Sequence, residues 1–298
     1  MTDNMDTPLR DATTANGVAP AGQEPLSPPP SRTGKVFTFY SAKGGAGCTT
    51  LACNTAIALK QMTGKEVALF DCGLLFGDIG VVLNLDPRST VIDLLPHVQS
   101  RQLDPDLLDQ MLVAHPSGVK VLLAPPSPEK AELITPDHVQ RILSTLRERY
   151  DYVVIDTWPT FEERILHVLD AADRIVVPTT LEMPAIKNSK LLMDVTSALA
   201  YPPEKVVMVL NRADSRGGIS VQDVEDVLQR RFAVEIVSDG RLTTHSLNEG
   251  VPFVMTHPDA PISRDVARLA SCLSGVVPVS TVEPKASRFG ALKSVLGV

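Results

Sequence analysis

The chain has 298 residues, 44% of them hydrophobic and 21% charged, with a formal net charge of −7. That supplies one large core, and a single domain of roughly 240–250 residues with tails fits better than two domains. The acidic balance argues against a nucleic-acid partner, and no apolar run approaches a membrane span or a signal-peptide core.

Residues 1–34 are rich in Pro, Ala, Asp and Thr, with Pro28, Pro29 and Pro30 consecutive. Such a stretch cannot bury a core and is expected to be a disordered arm, with docking to a partner as a second role. Lys35–Tyr40 reads as a buried strand, since Val36, Phe37, Phe39 and Tyr40 are β-branched or aromatic. Ser41–Gly47 is a glycine-rich turn, and Cys48–Leu59 has apolar residues at helical spacing. Strand, glycine turn and helix make a phosphate cradle: glycines let backbone N–H groups converge, and the helix N-terminus adds partial positive charge. Its residues are Lys43, Gly44, Gly45, Ala46, Gly47, Cys48, Thr49 and Thr50, with the Thr49 hydroxyl placed to hold Mg²⁺. The alternative is an ordinary tight turn. A lysine before two glycines, and Thr-Thr opening a helix, weigh against it.

Glu66–Asp71 reads as a second buried strand, with Asp71 facing the crevice where doubly wound sheets bind ligands. Gly77, Gly80 and Pro87 then divide the chain into short helical pieces. Asp104-Pro105 opens a helix that continues over Asp106–Ala114, and Val119–Leu123 is a third strand. Thr135-Pro136 caps a helix to about Arg149, with Val139, Ile142, Leu143 and Leu146 on one face. Tyr152–Asp156 delivers one aspartate from an apolar run, the Walker B form in which Asp156 holds the water shell of Mg²⁺. A strand-end capping carboxylate is the plainer alternative. Further strands are expected at Arg174–Pro178, Val206–Leu210 and Ala233–Val237, with helices at 184–199, after Ser220, at 242–248 and at 262–274. Seven strands alternating with helices predict an α/β fold: a doubly wound, mainly parallel sheet flanked by helices, in a single domain over 35–277.

The glycine turn departs from G-x-x-x-x-G-K-[ST], which would put a glycine at Ala42 and a lysine at Cys48. Its lysine stands at the front, at Lys43, and this resembles the deviant Walker A signature of the ParA/MinD superfamily of P-loop NTPases. The resemblance spans about Lys35–Gly275. It implies ATP and Mg²⁺ as cofactors and a homodimer in which Lys43 reaches the partner's nucleotide. It assigns Lys43 and Asp71 to catalysis, Thr49 and Asp156 to the metal, and Asn211 with Arg212 to the adenine edge. For Asn211 an Asx turn leaving the strand is the bland alternative. Two departures stand out. The family normally keeps a second lysine where Cys48 stands, and an Asp-x-Asp where this chain has Asp71-Cys72-Gly73.

Several segments look most like the CpaE/TadZ branch, which places Tad/Flp pilus machinery: Phe76-Gly77-Asp78, Leu83–Arg88, Ile92–Leu95, His115–Gly118, Leu122–Pro126 and Asn211–Ile219. Many of its members carry a receiver-like domain where this sequence shows a short arm. The resemblance therefore implies an ATP-binding, dimerising organiser of a pilus or secretion apparatus, with weak or absent hydrolysis. The alternative is a cycling MinD- or ParA-like ATPase placing division sites, chromosomes, plasmids or flagella. An iron–sulfur reductase shares the fold but needs paired cysteines, and Cys48, Cys53, Cys72 and Cys272 show no CxxC. That pattern suits a reducing cytoplasm. Cys48 at a helix N-terminus could also be a low-pKa redox thiol. In the tail (278–298), Phe289, Leu292, Val295 and Leu296 share one side of a helix over 284–298, with Lys285, Arg288 and Lys293 for lipid headgroups. A peripheral membrane contact or a frayed tail both fit it.

Overall fold

The computed structural model describes residues 33–98, 103–215 and 218–276. The fold lies in the unit Arg32–Val298; the other unit, Met1–Ser31, and the expected tail helix at 284–298 lie outside the described residues.

In chain order, β1 (Lys35–Phe39) leads to α1 (Cys48–Thr63), β2 (Val67–Cys72), α2 (Ile79–Val82), α3 (Val91–Val98) and α4 (Pro105–Met111). Then come β3 (Val113–Ala114), β4 (Lys120–Leu122), α5 (Pro128–Ala131), α6 (Pro136–Arg149), β5 (Tyr152–Thr157) and α7 (Glu163–Ala171). The last part holds β6 (Arg174–Thr179), α8 (Met183–Ala198), β7 (Val206–Asn211), α9 (Val221–Leu228), β8 (Val234–Ile236), α10 (Gly240–Glu249), α11 (Phe253–Thr256) and α12 (Pro261–Ser274).

The strands form one sheet in the order β3-β4-β2-β5-β1-β6-β7-β8. Every pairing is parallel except β3 with β4. β2 and β5 are buried along their whole length, so they read as unbroken apolar runs. Alternate side chains enter two cores. Val36 and Tyr40 pack with α6, α7 and α8, whereas Phe37 and Phe39 pack with α1 and α12. Leu51–Leu59 of α1 is buried on all sides, between the sheet and α12. Truncating Ile57 to alanine there should cost about 2–5 kcal/mol.

The chain moves outward from β1 through β2 to β4, returns in β5 beside β1, then crosses to β6, β7 and β8. β1 thus sits where the strand order reverses. The ligand crevice opens beyond the C-terminal ends of β1, β5 and β6.

Among the described residues the sheet has eight strands rather than seven. The additional one, β3, was expected to be the end of the helix over Asp106–Ala114. That helix stops at Met111 because Leu112 turns extended, with φ −79° and ψ 135°. Val113 and Ala114 then pair antiparallel with Val121 and Lys120 across a turn closed by Gly118 at φ +86°. Two residues are too few for periodicity to show. The helix α7 between β5 and β6 was likewise unread. The caps at Asp104, Thr135 and Ser220 form as the sequence indicates, each side chain accepting a backbone N–H.

Candidate functional site

The loop between β1 and α1 is tied down from several sides. The Ser41 hydroxyl donates to Pro178 O at 3.2 Å, the Asn188 amide to Ala42 O at 3.3 Å and the Asn211 amide to Ala46 O at 2.9 Å. Gly47, at φ +98°, turns the chain into α1, whose N-terminus has no side-chain cap and no acid in its first turn. Its N–H groups therefore face a cleft of about 570 Å³. That wall offers backbone donors and helix-dipole charge to an anion. Gly44 and Gly45 are exposed at the rim, whereas Ala46 is buried. Lys43 meets Glu182, at the start of α8, with Nζ 2.5 Å from Oε2. The hydrogen bond from that ammonium lowers the Glu182 pKa.

Below the loop, Asp71 and Asp156 stand opposite each other on β2 and β5. The Thr49 hydroxyl donates to Asp156 Oδ2 at 2.6 Å. Asp156 Oδ1 is buried and has no hydrogen-bond partner. Asp71 accepts the Gly73 N–H on Oδ1 and the Ile79 N–H on Oδ2, both at 3.1 Å. Burial pushes Asp156 up to about 8, with the Asp71 charge adding to it, and pushes Asp71 up to about 7 against those two hydrogen bonds. Two buried carboxyls with one orphaned oxygen, next to a threonine hydroxyl, form a donor set suited to a hard divalent cation. Among the described residues no group of three or more His, Cys, Asp or Glu is arranged as a complete side-chain chelate. Mg²⁺ fits that pattern, since it keeps waters and phosphate oxygens as ligands.

Residues 111–202, which include Asp156, match the family described as an AAA domain. The septum site-determining protein MinD of Thermotoga maritima is 27% identical over 250 residues, covering 81% of this chain and 89% of that protein. A ParA family ATPase from Chlorobium tepidum TLS superposes with a TM-score of 0.75 at 26% identity, covering 80% of this chain and 98% of the other. MinD complexed with Mg-ADP from Pyrococcus horikoshii OT3 shares the fold, with a TM-score of 0.68 at 21% identity over 80% and 95% of the two chains. The chain is similar in sequence and in fold to the ParA/MinD superfamily.

The two departures from the ParA/MinD pattern lie beside the buried carboxyls: the Gly73 N–H bonds Asp71, and Cys48 precedes Thr49. Cys48 lines the wall next to Thr49. Burial pushes its thiol well above the usual value, and the charge of Asp156 adds to the effect. This corrects the expectation of a low-pKa redox thiol, because burial beside a carboxylate outweighs the helix dipole. At Gly73 a Cβ would lie 3.1 Å from Asp71 Oδ1 and 3.6 Å from the Gly77 Cα. A carboxylate has little room there.

Asn211 and Arg212 also line the cleft, together with Thr243, Thr244 and Leu247 of α10 and Phe253 of α11. Asp239 is occupied as the α10 cap, accepting the Leu242 N–H at 2.9 Å, and Ser238 is bonded to Asp214. Sequence reasoning missed Glu182, Asp78, Trp158 and the two threonines. Asp78 lines the cleft, and its charge helps raise both Asp71 and Asp156. Its only sequence signal was its place in Phe76-Gly77-Asp78; Glu182 had only the nearby Pro184.

Proposed function

We propose that this chain binds ATP with Mg²⁺ in the cleft and closes as a homodimer over two nucleotides, with slow or absent hydrolysis. In this reading it organises a Tad/Flp-type pilus or secretion apparatus at the inner face of the cell membrane. The observation that carries nucleotide binding is the orphaned Asp156 oxygen beside Thr49, beneath an uncapped helix N-terminus. Thr49 and Asp156 would hold the metal, which when bound neutralises charge on the phosphates. The glycine loop would orient the phosphate chain, and Lys43 would leave Glu182 to reach across the dimer. The cleft lacks the cis charge at Cys48 and the water-orienting carboxylate at Gly73, which supports slow turnover. The pilus role rests on the CpaE/TadZ-like segments around Phe76–Asp78 and Asn211–Ile219.

A second reading is a cycling ATPase of the MinD or ParA kind. It is favoured by Asp78, a further carboxylate facing the cleft. The two are separated by calorimetry with ATP and Mg²⁺, the mass of the complex in solution, and phosphate release. The organiser reading expects ATP binding, a nucleotide-dependent dimer and little phosphate release. Absence of binding at millimolar ATP would sink both readings. Turnover on the order of 1 per second, as in ordinary kinases, would favour the cycling ATPase. No helix among the described residues is long and apolar enough to cross a membrane. In this reading the membrane contact rests on the sequence spacing of Phe289, Leu292, Val295 and Leu296 in 284–298.

A further inference from the structure

The geometry points to Asn211 as a positioning residue that rivets the end of β7 to the phosphate loop, so that it supports polyphosphate binding independently of any contact with a base. Both ends of its amide are engaged within the protein. Nδ2 donates to Ala46 O at 2.9 Å, and Oδ1 accepts the Arg212 N–H at 3.0 Å. Arg212 sits at φ +55°, a left-handed conformation costly for a residue with a side chain. The chain tolerates it where the Arg212 N–H meets the Asn211 carbonyl. On the loop side, a Cβ at Gly47 would lie 2.4 Å from Asn211 Nδ2, so the amide and the left-handed glycine are packed against each other.

The consequence is mechanical. Ala46 and Gly47 are the last loop residues before α1, and their conformation aims the first N–H groups of that helix into the cleft. Asn211 is 9% exposed, so its bonds to the loop are shielded from water. One Nδ2 hydrogen and one Oδ1 lone pair remain for a ligand, so loop support and base contact coexist in one side chain. Asn188 performs a similar task at the front of the loop, through Ala42 O.

This role rests on the cleft being a polyphosphate site, and one arm of the test is independent of that. Wild type, Asn211→Ala and the isosteric Asn211→Asp are compared, after circular dichroism shows each is folded. Ligands are Mg-ATP and Mg-tripolyphosphate, which has no base. Asn211→Ala should weaken both by the same factor, about five- to tenfold, the effect of one lost net hydrogen bond. In the ligand-free protein, hydrogen exchange at the first bonded amides of α1, beginning with the Leu51 N–H that donates to Gly47 O at 2.9 Å, should be several-fold faster in both variants. Weakened ATP binding with unchanged tripolyphosphate binding and unchanged exchange at those amides would mean base contact alone, and would overturn the role. If wild type binds neither ligand, the nucleotide reading fails while that exchange still decides: faster exchange supports the rivet, and unchanged exchange overturns it.

Discussion

Asp71 and Asp156 should make the ligand-free protein less stable as pH rises. Both carboxyls are buried, at 1% and 4% exposure, and their folded values are pushed from 3.8 to about 7 and about 8. In the unfolded chain both ionise near the ordinary carboxylate value. From about pH 4 upward the unfolded state therefore releases protons that the folded state still holds, and linkage makes stability fall with pH across that window. The contribution is fully present below about pH 4 and is lost once pH has passed through about 7 and about 8. Each pH unit inside the window costs about 1.4 kcal/mol per group, so Asp156 alone should cost roughly 3 kcal/mol between about pH 5.5 and 8. For a domain of this size that corresponds to a fall in Tm of roughly 6–12 °C. Scanning calorimetry of wild type and Asp156→Asn across that range, without nucleotide, checks it. The variant should show a shallower fall, since an amide cannot titrate, and Mg²⁺ with ADP should stabilise wild type more at pH 8 than at 5.5. Equal pH dependence in both proteins would refute the assignment of the buried charge to this pair.

Cys48→Lys should restore one charge-assisted contact to phosphate, worth about 1.5–3 kcal/mol, and tighten ATP binding by roughly one to two orders of magnitude in calorimetry. Phosphate release should stay low in that variant. Adding Gly73→Asp should lower Tm in the ligand-free protein, because the new side chain starts 3.1 Å from Asp71 Oδ1, and any rescue of turnover in the double variant would show that the loop yields. Lys43→Ala should weaken the Mg-ATP-dependent dimer, measured by light scattering, more than monomeric ATP binding; equal losses would place its action in cis. Deleting 287–298 should abolish co-sedimentation with anionic liposomes, and unchanged sedimentation would remove the membrane role.

The strands and the glycine turn leading into α1 were legible because their signals are local. Tyr152–Asp156 is an apolar run closed by one carboxylate, and Ser41–Thr50 couples glycine freedom to a helix start, so a few consecutive residues specify each element. The same holds for the helices capped at Asp104, Thr135 and Ser220, where a side chain answers an N–H only two or three residues away. The departures at Cys48 and Gly73 were equally visible, since each is the absence of a functional group at a motif position.

The states of those groups were decided by tertiary structure. Burial and cross-strand proximity are non-local, so nothing near Asp156 in sequence shows that Asp71 stands opposite it or that its Oδ1 has no partner. The same burial reverses the expected direction for the Cys48 thiol. Lys43 meets Glu182 across 139 residues, and Asn211 meets the loop across 165. Local chemistry chose the residues; the return of β5 beside β1, and of β6 and β7 beyond it, chose their partners.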